Sequence, residues 1–450
     1  MLEILFVAIP FIFMFVAGVA IPMLLVLSYA RFGVGLALVF GIAIVDALSL
    51  GEGGVNFGIN LYYADIVLGL ISIVAGLRLF FARDFPTKNK AWFIFCSVIM
   101  ISLITGLASF GLTAGVQSRG YFYFMVAGIY AMSFEMNEAR LRLVFNAMAA
   151  SAFLLVSLAV YRWIVYYTPI RSLLPASGSY NVDGPIRVIY SNHALLIAQV
   201  LLSGLFFFKS ARGFAIARAL SPFLLGAVVA LQHRSVWLAT LVGVMARLLL
   251  GNSKSGSAIT QLFFLAAIVG VTALPMVLSD KLAGVTEQVG SSASRALAGK
   301  DTTGERLQSW HEITKKWYGA GPRSIAIGQS FGADNTRYVQ DARGASHKIT
   351  YIAHNLYVQT LFNTGLFGLI AFLACVWYVV VGLYRICRDG TGGAEAEVLL
   401  MLVVMQLAYY VPYGVDYLQS FIFGIAVAYV AGKKVMKNAV GVPPTIRMAA

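Results

Sequence analysis

The apolar runs constrain this chain more than any other feature. They fall near residues 4–29, 33–50, 61–82, 91–113, 121–136, 143–167, 191–208, 219–233, 235–250, 258–278, 366–386, 397–412 and 415–432. A helix needs about 20 predominantly apolar residues to cross a bilayer, and bilayer-exposed backbone must satisfy its own hydrogen bonds. Repeated runs of this kind predict a polytopic helical membrane protein. Pro10 and Pro22 interrupt the first run and Arg31 follows it, so twelve or thirteen spans are expected. Only 12% of residues are charged and 60% are hydrophobic, against about 25% charged in soluble domains. A soluble fold is excluded.

Charge then orients the spans. The formal net charge is +14, and many of the basic residues gather in short loops, as the positive-inside bias requires. That pattern points to anionic lipid headgroups and anionic substrates as partners, and not to nucleic acid. Arg78, Arg83, Lys88 and Lys90 mark one cytoplasmic loop, Arg140 and Arg142 a second, and Lys209, Arg212 and Arg218 a third. Arg247 with Lys254, Arg385 with Arg388, and Lys433 with Lys434 and Lys437 mark the others. Alternation from these anchors places residues 168–190, the turn Gln232–His233–Arg234 and residues 279–365 together on the opposite side. The first run lacks a basic leader and is followed at once by further apolar runs, so no cleaved signal peptide is expected. Cys96 and Cys375 sit inside apolar runs and Cys387 just past one, which gives no disulfide or zinc pattern.

The expected organisation is therefore an all-α bundle in three parts. Residues 1–278 are spans with short loops, 279–365 one large, partly helical outer loop, and 366–450 the last spans and a cytoplasmic tail. Loops of that length are uncommon unless functional or linking. Within it, Thr302-Thr303-Gly304-Glu305 fits a capping box. The helix it opens should end at Gly319. A 3.6-residue period puts Leu307, Trp310, Thr314, Trp317 and Tyr318 on one face, with Arg306 at its edge beside Trp310 and Ile313. Gln308, Glu312 and Lys316 fall on the solvated side. A guanidinium held beside aromatics suits bidentate phosphate binding; an ion pair with a nearby carboxylate, in the same helix or outside it, ranks ahead of it from spacing alone. Further on, His354-Asn355 opens a short helix, Leu356 to Phe362, that halts at Asn363-Thr364-Gly365 before the next span. That break leaves His354 at the membrane surface, where an imidazole suits proton transfer near neutral pH. A single His more often caps or packs. Asp65, inside a run, reads as structural. The histidines at 193, 233, 311, 347 and 354 show no metal-ligand spacing, and no Walker or Gly-x-Ser-x-Gly motif is present.

Taken in order, these elements resemble a known family. They are Arg187 with Asn192, His233-Arg234, Arg306 with Trp310, Gly319-Ala320-Gly321-Pro322, His354-Asn355-Leu356-Tyr357, and Gly365 with Gly368 and Phe372. The set looks like the O-antigen ligase and O-antigen polymerase superfamily of membrane glycosyltransferases. The resemblance covers roughly the last 270 residues; His233 stands where a small Ser is more usual. It implies a multi-pass bacterial inner-membrane enzyme with a periplasmic active face. It further implies inverting, metal-independent transfer without a cofactor. The donor would be a glycan on undecaprenyl diphosphate. The acceptor would be a growing glycan (a polymerase) or lipid A-core (a ligase). Arg234 and Arg306 would neutralise the diphosphate, His354 would activate the acceptor hydroxyl or steady the transition state, and Arg187 would be a further cation near the entrance. Trp310, Arg323 and Asn355 complete the expected substrate-binding set. The polymerase is the favoured reading. A flippase or other transporter of lipid-linked oligosaccharide is the alternative from another class, opposed by the large loop and by the lack of an internal repeat.

Overall fold

The computed structural model describes residues 18–49, 54–56, 60–82, 89–168, 170–174, 187–207, 211–250, 302–340 and 345–440. The apolar run at 258–278, the start of the first run, and Arg83, Lys88, Lys209, Lys254, Arg295 and Arg343 lie outside them.

Helices dominate. In chain order they are α1 (Gly18–Ala30), α2 (Phe32–Ser49), α3 (Tyr63–Phe81), α4 (Lys90–Phe110), α5 (Leu112–Met132), α6 (Glu138–Tyr167), α7 (Ser191–Phe207), α8 (Ala211–Ala230) and α9 (Arg234–Leu250). There follow α10 (Thr302–Gly319), α11 (Pro322–Ile327), α12 (Leu356–Arg388), α13 (Gly393–Tyr409) and α14 (Tyr417–Val440). Two antiparallel ribbons interrupt them: β1 (Gly54–Asn56) with β2 (Asn60–Tyr62), and β3 (Arg337–Gln340) with β4 (Ser346–Ile349). Among the described residues, α2, α3, α4, α6 and α12 are long and apolar enough to cross a membrane. The fold is an all-α polytopic helical protein.

Polar side chains close the helix ends. Asn89, Asn137 and Asn355 each accept a hydrogen bond from the backbone N–H three residues on, at 3.3, 2.9 and 3.0 Å, which satisfies otherwise orphaned donors. Asp65 accepts from Tyr62 N at 2.6 Å and lies 3.5 Å from Arg119. Its role is therefore structural, as its position suggests.

In lipid, helices associate through close packing and not through apolar burial alone. Where α5 crosses α14, a Cβ at Gly424 would strike the carbonyl oxygen of Gly128, so the backbones touch. Around that crossing Trp92 lies 5.6 Å from both Phe124 and Phe423, and Phe95 lies 5.3 Å from Phe372. The helix pair α9 and α13 is antiparallel: Arg247 pairs with Glu397, and Gly243 faces Met401 and Met405.

One helix is broken on cue. Gly365 has φ 65° and ψ −166°, which interrupts α12 after about two and a half turns. A Cβ there would run into the backbone of Ala326 and Ile327, while one at Gly328 would meet Asn363 and Thr364. Gln329 N and Ser330 N donate to the carbonyls of Phe362 and Asn363 at 2.8 and 3.2 Å. The short helix α11 is thereby bolted to the break.

Candidate active site

The first turns of α12 are docked on the segment that joins α13 to α14. Leu356 N donates to the carbonyls of Tyr410 and Tyr413, both at 3.0 Å, and the Tyr357 hydroxyl to Leu407 O at 2.9 Å. Buried Gln359 accepts from Ala353 N at 2.8 Å and donates to the Asn363 side chain at 3.1 Å. His354, between Ala353 and the capping residue Asn355, is fixed from both sides. Its ring lies 5.3 Å from that of Tyr351 and 6.5 Å from that of Tyr413. Asn355 spends its side-chain oxygen on Val358 N.

Arg306 reaches the same place from α10. Its guanidinium sits 5.4 Å from the Tyr413 ring and donates to Pro412 O at 3.3 Å. Among the described residues it has no ion pair; the neighbouring carboxylate, Glu305, lies 4.0 Å from His347 instead. The ion pair favoured by spacing is thus not present among the described residues.

The phase of α10 also differs from expectation. The buried face is Ser309, Ile313 and Trp317, packed with Ala353 and Phe362, while Leu307 and Tyr318 are exposed. Periodicity weighs every apolar residue alike; here the packing partner selects the stripe, and a Ser belongs to it. That Ser is needed by an arginine outside the expected set. Arg337 is 3% exposed and donates to Ser309 Oγ at 2.5 Å, Asn335 O at 2.8 Å and Tyr351 O at 2.7 Å. Lys316, expected in solvent, instead ties the loop by pairing with Asp334 at 3.1 Å and donating to Thr336 O.

Arg306, Trp310, Arg337, Tyr351 and His354 line one cavity of about 170 Å³. Burial by packed neighbours, then the Arg306 and Arg337 charges, hold His354 below its ordinary 6.5. The imidazole is therefore neutral at pH 7 and able to accept a proton.

The other expected residues lie around this cavity or apart from it. Thirteen residues back from Arg247 is Arg234, and thirteen forward from Glu397 is Tyr410, so the antiparallel pair sets Arg234 level with the segment that Arg306 touches. Arg234 begins α9 after a turn in which Gln232 has φ 51°. His233 is buried with Nε2 3.0 Å from Ile189 O, a packing role that accounts for a ring at this position. Arg187 precedes α7, whose first three residues each reach a different part of the fold. Ser191 meets Tyr409 at 2.6 Å, Asn192 donates to Asp416 at 2.8 Å, and His193 lies 3.9 Å from Asp46. Arg323 lines a separate cavity beside α4.

Arg337, Tyr351 and Tyr413 were missed from the sequence. Alternation in Arg337-Tyr338-Val339-Gln340, buried and exposed in turn, is the one signal that points Arg337 inward.

Fold and site together define a class: polytopic helical membrane proteins with a cationic, histidine-bearing cavity at one end of the bundle. Within that class, residues 219–373 match the family model described as O-antigen ligase, a stretch that covers less than half of the chain. The matched stretch includes Arg234, Arg306, Arg337 and His354 but not Arg187. No curated protein sequence matches the chain. The match and the apolar helices point to a bacterial membrane protein.

Proposed function

We propose that this protein is an inverting glycosyltransferase of the inner membrane that lengthens surface polysaccharide at the periplasmic face. The donor is a glycan on undecaprenyl diphosphate and the acceptor a second glycan. The observation that carries this reading is the cavity shared by Arg306 and a neutral His354.

In the proposed step the acceptor hydroxyl attacks the anomeric carbon as the bond to the diphosphate oxygen breaks. The hydroxyl proton passes to the free ring nitrogen of His354. The diphosphate leaves as an anion whose growing charge is met by Arg306 and Arg234. Fixed cations aimed at developing charge in a site shielded from water lower a barrier strongly. Arg337, held by three hydrogen bonds, adds positive potential without moving. Asn355 acts on His354 through the helix cap, Trp310 walls the cavity, and Arg187 stands near the entrance.

A second reading, transfer of finished glycan to lipid A-core, is favoured by the description of the matching family, O-antigen ligase. One reconstitution separates the two. Purified protein is given lipid-linked repeat units, with and without lipid A-core. Longer lipid-linked chains support the polymerase; product on lipid A-core alone supports the ligase. Full activity in both Arg306→Ala and His354→Ala would sink the site.

A further inference from the structure

A cavity of about 540 Å³ lies between α4, the short helix α11 and Phe367, just past the break in α12. No residue lines both it and the cavity of Arg306 and His354. One wall is apolar and open to the outside of the bundle: Ile94, Ile101 and Phe367 are exposed. They belong to α4 and α12, helices apolar enough to cross a membrane, so this wall faces lipid chains. The loop-bearing rim is chemically different. Arg323 is exposed there and, among the described residues, has no hydrogen bond or ion pair. Beside it Ser324 is 5% exposed and its Oγ has no hydrogen-bond partner among the described residues. A buried hydroxyl without a partner is costly, and a guanidinium above an apolar wall complements a phosphate that carries a hydrocarbon chain.

We propose that this groove binds an anionic glycerophospholipid of the bilayer. Arg323 holds the headgroup phosphate, Ser324 turns to donate to a phosphate or ester oxygen, and an acyl chain lies along Ile94, Ile101 and Phe367. Because Gly328 and Gly365 bolt α11 to the break in α12, the bound lipid also braces the far end of the short helical segment that His354 precedes. This inference stands independently of the proposed transfer reaction.

The test is native mass spectrometry of the full-length protein, released from detergent and titrated with phosphatidylglycerol, phosphatidylcholine or inorganic phosphate. Wild-type protein should retain phosphatidylglycerol over phosphatidylcholine. Arg323→Gln should weaken that retention about tenfold, as expected for one charge-assisted hydrogen bond, Arg323→Lys should restore part of it, and Arg306→Gln should leave it unchanged. Equal retention by wild type and Arg323→Gln overturns the proposal. So does equal retention of the two lipids, displacement by inorganic phosphate at matched concentration, or an equal loss in Arg306→Gln, which would move the lipid to the other cavity.

Discussion

Two arginines from opposite ends of the bundle, Arg78 and Arg306, are held differently. At the end remote from the large loop, Arg78 donates to Ser133 Oγ, Ser133 O and Tyr29 O at 2.9, 2.9 and 2.6 Å and lies 3.6 Å from the Phe134 ring. Arg247 pairs with Glu397. At the loop-bearing end, Arg306 has one hydrogen bond of 3.3 Å and an aromatic neighbour. A cation that serves the fold has its donors filled from within. Arg306, proposed to meet an anion, instead lines a cavity. Arg337 stands between the two cases, filled like Arg78 but lining the cavity like Arg306.

Substitutions can break that contrast. The largest expected effect is on catalysis: Arg306→Ala should lower turnover by roughly 10²–10³-fold, the usual cost of one oxyanion-stabilising donor, with the melting temperature in detergent unchanged. Arg78→Ala should do the reverse. It strands one buried and one partly buried carbonyl, so a loss of about 2 kcal/mol in stability is expected, with activity per folded molecule retained. A melting Arg306→Ala protein, or an inactive but stable Arg78→Ala protein, would show that the two ends do not divide their labour in this way. Gly365→Ala sharpens the same division from the backbone side. The left-handed φ and the clash with α11 predict a loss of about 1–3 kcal/mol, together with reduced activity because His354 shifts; thermal melts and turnover on one preparation would show both.

Smaller effects come from protons. Since His354 titrates below 6.5, the acid-side half-maximal point of activity should lie below pH 6.5, with activity lost as pH falls through it; a half-maximal point above 6.5 contradicts the assignment. The smallest effect is expected at Asp334, held at about 2 by hydrogen bonds from Thr336 and then by Lys316. A depressed carboxylate stabilises the fold above its unfolded value of 3.8 and loses that contribution as pH falls toward 2. The group is mostly exposed, so Asp334→Asn should cost under about 1 kcal/mol at pH 7 and leave activity intact.

The apolar runs foretold the helices closely; the run at 33–50 corresponds to Phe32–Ser49 and that at 191–208 to Ser191–Phe207. Such runs are legible because lipid imposes length and composition on each helix separately. The break at Gly365 was legible for a similar local reason. Arg306 and His354 could be singled out as residues, yet their sharing of one cavity depends on Pro412 and Tyr413, more than fifty residues on from either. No local rule reports a convergence of that kind. The stripe of α10 failed for the same reason, since Ser309 is buried to serve Arg337, and Arg337 is oriented by a ribbon too short to announce itself.

The docking of Leu356 N on Tyr410 O and Tyr413 O carries a consequence for the making of the protein. Chains fold from the N-terminus as they are synthesised. Arg234, Arg306 and His354 all emerge from the ribosome before the segment that seats Arg306 and His354. During insertion the nascent chain already carries every group of the proposed chemistry but not their arrangement. Only when α13 and α14 enter the bilayer does the seat exist, so competence to react arrives as the last helices are laid in.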